Sequence, residues 1–412
     1  MQQPHFGQGL YAWFIVSLFY SFQYILRVMP SIMMPDLLTQ FHIDEGFFGQ
    51  FSGVYYIGYA LAHIPLGLLL DKYGPRRILT LCSLLTVVGL SPILCCDHWA
   101  LALLGRFLIG IGSSGAILGC FKIIRLVFAE AKFARMLSFS VMIGLTGAIY
   151  GGAPVTYLCT VFGYQWVTLS FMITGLLISM LTFVSLPSTP LRSGPPLGNA
   201  LIPVLTHRLV LLTCIFAGLM VGPLEGFADV WGVPFLKSTY ALTGLQASSL
   251  CSLIFLGMCF GSPLLSLMAE KIQNTLLCIT LSGAIMALVF LLLITQLLSP
   301  TLMPVFFALV GVCSAYQILS ITQAASFVPS THAGVTTAVA NMIIMLFGYG
   351  FHSLIGLTVN HTHQASSGIL IIIAGLVLGS LGFLGLALTC RAGHNRSTFS
   401  SSLNNQTKKL AK

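Results

Sequence analysis

The chain is predicted to be an all-α membrane protein, with 12 transmembrane helices in two pseudo-symmetric six-helix bundles. Three observations predict this. Apolar residues make up 57% of the 412 residues and charged residues only 7%, with a mean hydropathy of +0.96. A soluble protein carries about a quarter charged residues, and a single core of this size would need a polar exterior that this composition cannot supply. The apolar runs are long enough to cross about 30 Å of hydrocarbon, which takes about 20 helical residues. The basic residues, finally, fall on one side of the spans.

Taken in order, the spans lie near 10–38, 46–70, 76–96, 99–125, 135–161, 165–186, 208–236, 244–269, 273–297, 300–328, 333–358 and 366–390. Residues 1–186 form the N-terminal six-helix bundle. Residues 187–207, rich in Pro, Gly and Ser, are a flexible linker. Residues 208–390 form the C-terminal six-helix bundle, and the Ser/Asn/Lys-rich stretch 391–412 is expected to be a disordered tail. No cleavable signal peptide is expected, because the first apolar run continues past signal-peptide length and carries Arg27.

Of the 18 Lys and Arg, 15 fall in alternate connections: Lys72, Arg76, Arg77, Lys122, Arg125, Lys132, Arg135, Arg192, Arg208, Lys271, Arg391, Arg396, Lys408, Lys409 and Lys412. Lysine and arginine resist translocation, so these connections and both termini are assigned to the cytoplasm of a bacterial inner membrane. The net charge of +9 is therefore topology, not a nucleic-acid surface. The 11 cysteines are scattered through apolar segments without Cys-x-x-Cys spacing and read as small packing residues. His361 and His363 read as solvated loop residues. No metal, cofactor or catalytic constellation is expected, which argues against an enzyme, and the chain is expected to be monomeric.

Between spans 2 and 3 lies Gly67-Leu-Leu-Leu-Asp71-Lys72-Tyr-Gly74-Pro-Arg76-Arg77. Its glycines permit a tight turn and its cations hold that turn in the cytoplasm. A shift of 199 residues lays Leu69-Leu70-Asp71-Lys72 over Met268-Ala269-Glu270-Lys271, and Gly112 over Gly311; a shift of 198 lays Gly46 over Gly244. Two six-helix halves of common ancestry produce such a pattern.

Charges inside the spans mark the candidate site. Tyr20, Tyr24 and Arg27 share one face of span 1. An Arg near the bilayer centre costs about 2.5–3.5 kcal/mol, so Arg27 should face a cavity or an acid. The 198-residue shift carries Arg27 onto Glu225 of span 7, and Asp229 lies one turn beyond. One reading is a site for a zwitterion, with Arg27 holding a carboxylate and Glu225 or Asp229 an ammonium. The other is that Arg27 and Glu225 pair as a gate between the halves. Asp229 faces either the cavity or the outer interface beside Trp231. Glu225 is the candidate proton carrier, because arginine keeps its proton. Ser52, Tyr55, Tyr56, Tyr59 and His63 in span 2, Tyr316, Gln317, Ser320 and Gln323 in span 10, and Asn341, Tyr349 and His352 in span 11 add polar groups. Of these, Tyr55, Gln317 and Asn341 are assigned to the cavity with Tyr24.

The Gly67–Arg77 loop closely resembles the signature loop between helices 2 and 3 of the major facilitator superfamily. Arg106 in the Gly-rich run Arg106-Phe-Leu-Ile-Gly110-Ile-Gly112 resembles that superfamily's second motif, which implies a part in proton coupling. Gly147-Ala-Ile-Tyr-Gly151-Gly152-Ala-Pro154 is only loosely similar to its antiporter motif. The first 80 residues resemble a proteobacterial branch related to intraphagosomal amino-acid and nucleoside permeases and to lysosomal dipeptide carriers. The resemblance implies a secondary carrier working by alternating access, importing an amino acid or short peptide with protons. It further implies a latch at Gly67, Asp71, Lys72, Gly74, Arg76 and Arg77 that joins the two halves when the cytoplasmic side is closed, with Asp71 then meeting the start of span 11 near Thr331–Val335. An organic-anion, organophosphate or siderophore carrier using Arg27 and Arg106 is the alternative, although organophosphate antiporters place a second Arg where this chain has Glu225 and Asp229. A transporter-like solute sensor is a third reading.

Overall fold

The computed structural model describes residues 6–129, 132–187 and 198–410. Twelve helices in it are long and apolar enough to cross a membrane: α1 (Gln8–Val28), α2 (Glu45–Tyr73), α3 (Pro75–Cys95), α4 (Trp99–Val127), α5 (Arg135–Phe162), α6 (Tyr164–Ser185), α7 (Arg208–Tyr240), α8 (Gly244–Ile272), α9 (Thr275–Ile294), α10 (Met303–Ser326), α11 (Ala333–Thr362) and α12 (Ala365–Thr389). Their outward faces carry large apolar side chains such as Leu61, Val184, Leu267 and Leu388, as hydrocarbon-facing helices should.

The expected turn between α2 and α3 is a single residue. Gly74 has φ +82°, where a side chain would be strained, and Pro75 opens the next helix, where its missing N–H is no loss. The two halves repeat their internal packing. A Cβ at Gly58 of α2 would lie 2.3 Å from the Phe107 carbonyl of α4, and one at Gly257 of α8 would lie 2.1 Å from the Ala308 carbonyl of α10. Gly58 and Gly257 are 199 positions apart, so the repeat seen in the sequence is a repeat of helix contacts.

Three boundaries differ from expectation. Span 1 is not one helix over 10–38. It stops at Val28, and a separate helix runs from Pro30 to Phe41, because Pro30 has no N–H to continue the ladder. The linker is helical over Gly198–Thr206, where Leu201 and Val204 pack with Val210, Val339 and Ala340; residues 188–197, with Arg192, lie outside the described residues. The helical backbone does not end with α12 at Thr389. It continues as helix to Leu410, with no proline to stop it; Lys412 lies outside the described residues.

The bundles meet most closely at the end away from the basic residues. There α2 crosses α11 so tightly that a Cβ at Gly49 would lie 2.4 Å from the His352 carbonyl, and one at Gly356 2.6 Å from the Glu45 carbonyl. Thr156 of α5 donates to Ser248 of α8 (3.0 Å), and Asn360 donates to Asp44 (3.1 Å). Phe48 packs edge-on against Trp231. Towards the basic end Ile64 still touches the C-terminal bundle, but a Cβ at Gly67 or Gly334 would meet nothing within 4 Å. No hydrogen bond among the described residues ties Gly67–Tyr73 to that bundle. The molecule is closed at one end and parted at the other.

Candidate functional site

Where the parted region meets the closed one, Arg27 of α1 reaches across to α7. Its Nε donates to Asp229 Oδ2 at 2.5 Å, and its Nη2 pairs with Glu225 Oε2. The Tyr56 hydroxyl of α2 contacts the same two carboxylates, at 2.8 Å from Glu225 Oε2 and also on Asp229 Oδ2. Gln317 of α10 extends its Nε2 to Glu225 Oε1 (3.4 Å). The three charged residues are between 0% and 6% exposed, so they must satisfy one another. Tyr24 and Tyr56 lay their rings near the Arg27 guanidinium, at 5.1 and 5.4 Å, adding cation–π attraction.

Local sequence explains how these groups converge. Pro30 leaves the Leu26 carbonyl, four residues back, without its usual partner. Arg106 of α4 supplies one: Nη1 donates to Leu26 O at 2.5 Å and Nη2 to Arg27 O at 3.0 Å. The broken end of α1 is thereby pinned directly beneath Arg27. On the facing wall, residues Gly222–Trp231 form a π-helical stretch inside α7 that contains Gly222, Pro223 and Gly226. Such stretches are widened and often mark functional positions. Here Glu225 and Asp229, four residues apart, share one face and one guanidinium.

Of the expected residues, Arg27, Tyr24, Glu225, Asp229 and Gln317 come together. Asp229 is fully buried and turns towards Arg27 and Tyr56 of the other bundle. Tyr55 stands one step away, donating to Gln23 Oε1 (2.7 Å) and lying under Arg106 with its ring 4.8 Å from the guanidinium. Asn341 is half-buried near Tyr59, towards the basic end, and does not join the charge cluster. Arg106 makes no ion pair among the described residues; two of its nitrogens donate to main-chain carbonyls. Tyr56 is the member that was not assigned to the site from sequence. Tyr55 and Tyr56 are neighbours in the chain, and nothing in the sequence tells which one turns towards α7.

The Gly67–Arg77 loop lies at the parted end, so the closed arrangement in which Asp71 is expected to meet the start of α11 is not the one seen. In this conformation Asp71 stays within its own bundle. Its carboxylate pairs with Lys122 of α4, and Arg76 Nε caps the Leu186 carbonyl at the end of α6 (2.6 Å). Lys72 lies over Tyr73, and Arg77 is exposed. With the bundles parted at this end, the nearest cation available to Asp71 is in its own bundle.

A family model described as "Major Facilitator Superfamily" matches residues 16–351. Among curated proteins, NicT of Pseudomonas putida, named for metabolite transport, is 23% identical over 181 residues, 41% of this chain and 40% of that protein. The multidrug resistance protein MdtL of Salmonella typhimurium is 26% identical over 172 residues, 40% of this chain and 42% of that protein. The match thus spans well under half the length of these relatives. Among solved structures, a bacterial homologue of the human lysosomal transporter Spinster, inward-facing and unoccupied, superposes with a TM-score of 0.70 at 15% identity, covering 94% of this chain and 96% of that one. The nucleoside transporter NupG gives 0.76 at 14% identity, covering 91% and 99%. At such identities the likeness is one of fold.

Proposed function

The chain belongs to the Major Facilitator Superfamily, and from that premise we propose that it is a secondary active transporter that carries a small organic solute, chemically unchanged, by alternating access. The bundles 1–186 and 208–390 rock about a site at the bilayer midplane. The basic connections and both termini face the cytoplasm of a bacterial inner membrane. On that topology the parted end is cytoplasmic and the structure is the inward-facing state.

The observation that carries the mechanism is Arg27 of one bundle bonded to Glu225 and Asp229 of the other. Two acids share one directly bonded guanidinium, since Arg106 is committed to carbonyl groups. The cluster therefore has room for one more positive charge, either a proton or a substrate ammonium. Protonating the acids loosens their hold on Arg27, which frees its planar fork for a substrate carboxylate. Proton and substrate then bind together, which is symport. In the deprotonated form Arg27 ties α1 to α7 and favours the closed outer end. Gate and binding site are two states of one cluster.

The cargo this chemistry fits is a small zwitterion, an amino acid or short peptide. Tyr24, Tyr55, Gln317 and Asn341 supply neutral polar groups towards the open side. A phosphate or polycarboxylate would meet two acids beside its only free cation, which disfavours organic-anion and organophosphate cargo.

Uptake into proteoliposomes, with and without an inward proton gradient, tests the proposal. Labelled amino acids and dipeptides should accumulate faster with the gradient, and Glu225→Gln should lose that stimulation while keeping solute exchange. Competition by sugar phosphates or citrate alone would overturn the zwitterion reading. Gradient-driven uptake by Glu225→Gln would overturn the coupling role.

A further inference from the structure

The outer end carries a pocket that the central cluster does not use. Its volume is about 340 Å³, and it is lined by His42, Ile43, Asp44, Phe47 and Trp99. Small-molecule sites run from about 300 to 1,000 Å³, so a small solute fits. The apolar wall is aromatic. Trp99 of α4 stands among Phe41, Phe47 and Phe51, with ring centroids 6.1, 6.2 and 5.6 Å away. Aromatic faces beside a carboxylate attract an ammonium group.

The acid in this pocket is held in a defined way. Asp44 caps α2, its Oδ1 accepting from the Phe47 N–H at 2.9 Å. Its Oδ2 is taken by Asn360 of α11, whose Nδ2 donates across the bundle boundary at 3.1 Å. An amide N–H and an ammonium N–H ask the same of a carboxylate oxygen. Asn360 therefore occupies the position that a cargo ammonium would fill. Opening of the outer end must part α2 from α11, which touch at Gly49 and Gly356, and that withdraws Asn360. The acceptor is then on offer only in the state that faces outwards.

Charge favours the same ligand. Asp36, Asp44, Glu45 and Asp97 lie at the outer end of the N-terminal bundle, and Lys237 is the one lysine or arginine at that end among the described residues. Such a field draws in cations. His42, in the same lining, offers an imidazole N–H to a carboxylate. The pocket also leads inwards. Phe51, which packs on Trp99, has its ring 5.8 Å from the Arg106 guanidinium, and Arg106 holds the Arg27 carbonyl.

We propose that this pocket is an outer capture site for the ammonium end of the cargo, with Asp44 as acceptor and Phe47 and Trp99 as walls. Asn360 is the internal competitor that displaces the ligand as the outer end closes. The inference rests on the zwitterion reading above, and it adds a second site that only external cargo meets.

Side-specific kinetics test it. The carrier is inserted in one orientation into vesicles of phosphatidylglycerol, a lipid without an amine. The probe is the labelled amino acid or dipeptide that the unaltered carrier accumulates best, and initial rates are read against its concentration on each side. Asp44→Asn keeps the helix cap and loses the charge. It should raise the outer-side KM about tenfold, as loss of a hydrogen bond to a charged group implies, and leave the cytoplasmic-side KM unchanged. Trp99→Leu should do the same, and Trp99→Phe should restore most of the difference. An unchanged outer-side KM in Asp44→Asn, or an equal rise on both sides, would overturn the capture site and leave the zwitterion reading standing. A difference seen only in vesicles containing phosphatidylethanolamine would assign the pocket to a lipid headgroup and overturn it too. If no amino acid or dipeptide accumulates, the zwitterion reading falls and takes this inference with it.

Discussion

Arg27 and Asp229 lie 202 positions apart, in different bundles, and are joined by a 2.5 Å hydrogen bond from the guanidinium Nε to Oδ2. Because the pair bridges the halves, the proposed gate predicts that its strength sets how firmly the outer end is held shut. Removing one partner leaves the other charge buried and unpaired, which costs about 3–5 kcal/mol. Arg27→Ala should therefore lower thermal stability in detergent sharply, while Arg27→Met combined with Glu225→Gln and Asp229→Asn should recover much of it. Equal melting of the single and triple variants would show that the cluster is not held by its charges.

Arginine at this position is not replaceable by lysine. Nε and Nη2 serve different carboxylates, and a single ammonium cannot reproduce that fork. Arg27→Lys should fold but transport at least about tenfold more slowly, the equivalent of about 1.4 kcal/mol. Initial uptake rates against an internal standard of inserted protein measure it.

Tyr56→Phe isolates the hydroxyl that lies between the two acids. A hydrogen bond to a charged group contributes about 1.5–3 kcal/mol. The variant should keep its ring contacts with Arg27 and His352 and weaken the outer closure. Labelling of an introduced cysteine at Gly46 by an impermeant reagent should rise, and unchanged labelling would remove Tyr56 from the gate.

Arg106 is expected to act through the backbone of α1. Arg106→Gln strands the Leu26 and Arg27 carbonyls, while Pro30→Ala supplies an N–H that can return to Leu26. The two changes should be non-additive, with Pro30→Ala partly rescuing the stability of Arg106→Gln. Additive melting shifts would indicate that Arg106 works elsewhere.

Asp71 is half-exposed where it pairs with Lys122, so Asp71→Asn should cost under about 1 kcal/mol. A latch formed only when the cytoplasmic end is closed would show in a different measurement. Cysteines introduced in the cytoplasmic cavity should become more accessible, because the closed state alone loses a contact.

Much of this molecule is written in one dimension. Hydropathy places the spans because hydrocarbon offers a backbone no hydrogen bonds, so each crossing must be a helix of set length. The 198-residue repeat brings Arg27 opposite Glu225 because pseudo-symmetric halves put equivalent positions at equal depth. Other features depend on where side chains point and what lies behind them. Span 1 divides at Pro30, and only the tertiary fold shows that Arg106 caps the break. Tyr56 and not Tyr55 meets the acids because α2 is rotated by its packing against α4 and α11. Asp71 takes Lys122 because the bundles are parted at that end in this conformation.

The sequence by itself thus determined the spans, the repeat and the three charges that must be satisfied inside the membrane. These follow from the local cost of placing polar groups in hydrocarbon. Only the tertiary structure decided which groups satisfy them and which end is shut. Those facts belong to the packing of one helix against another, and packing is a property of all the helices at once.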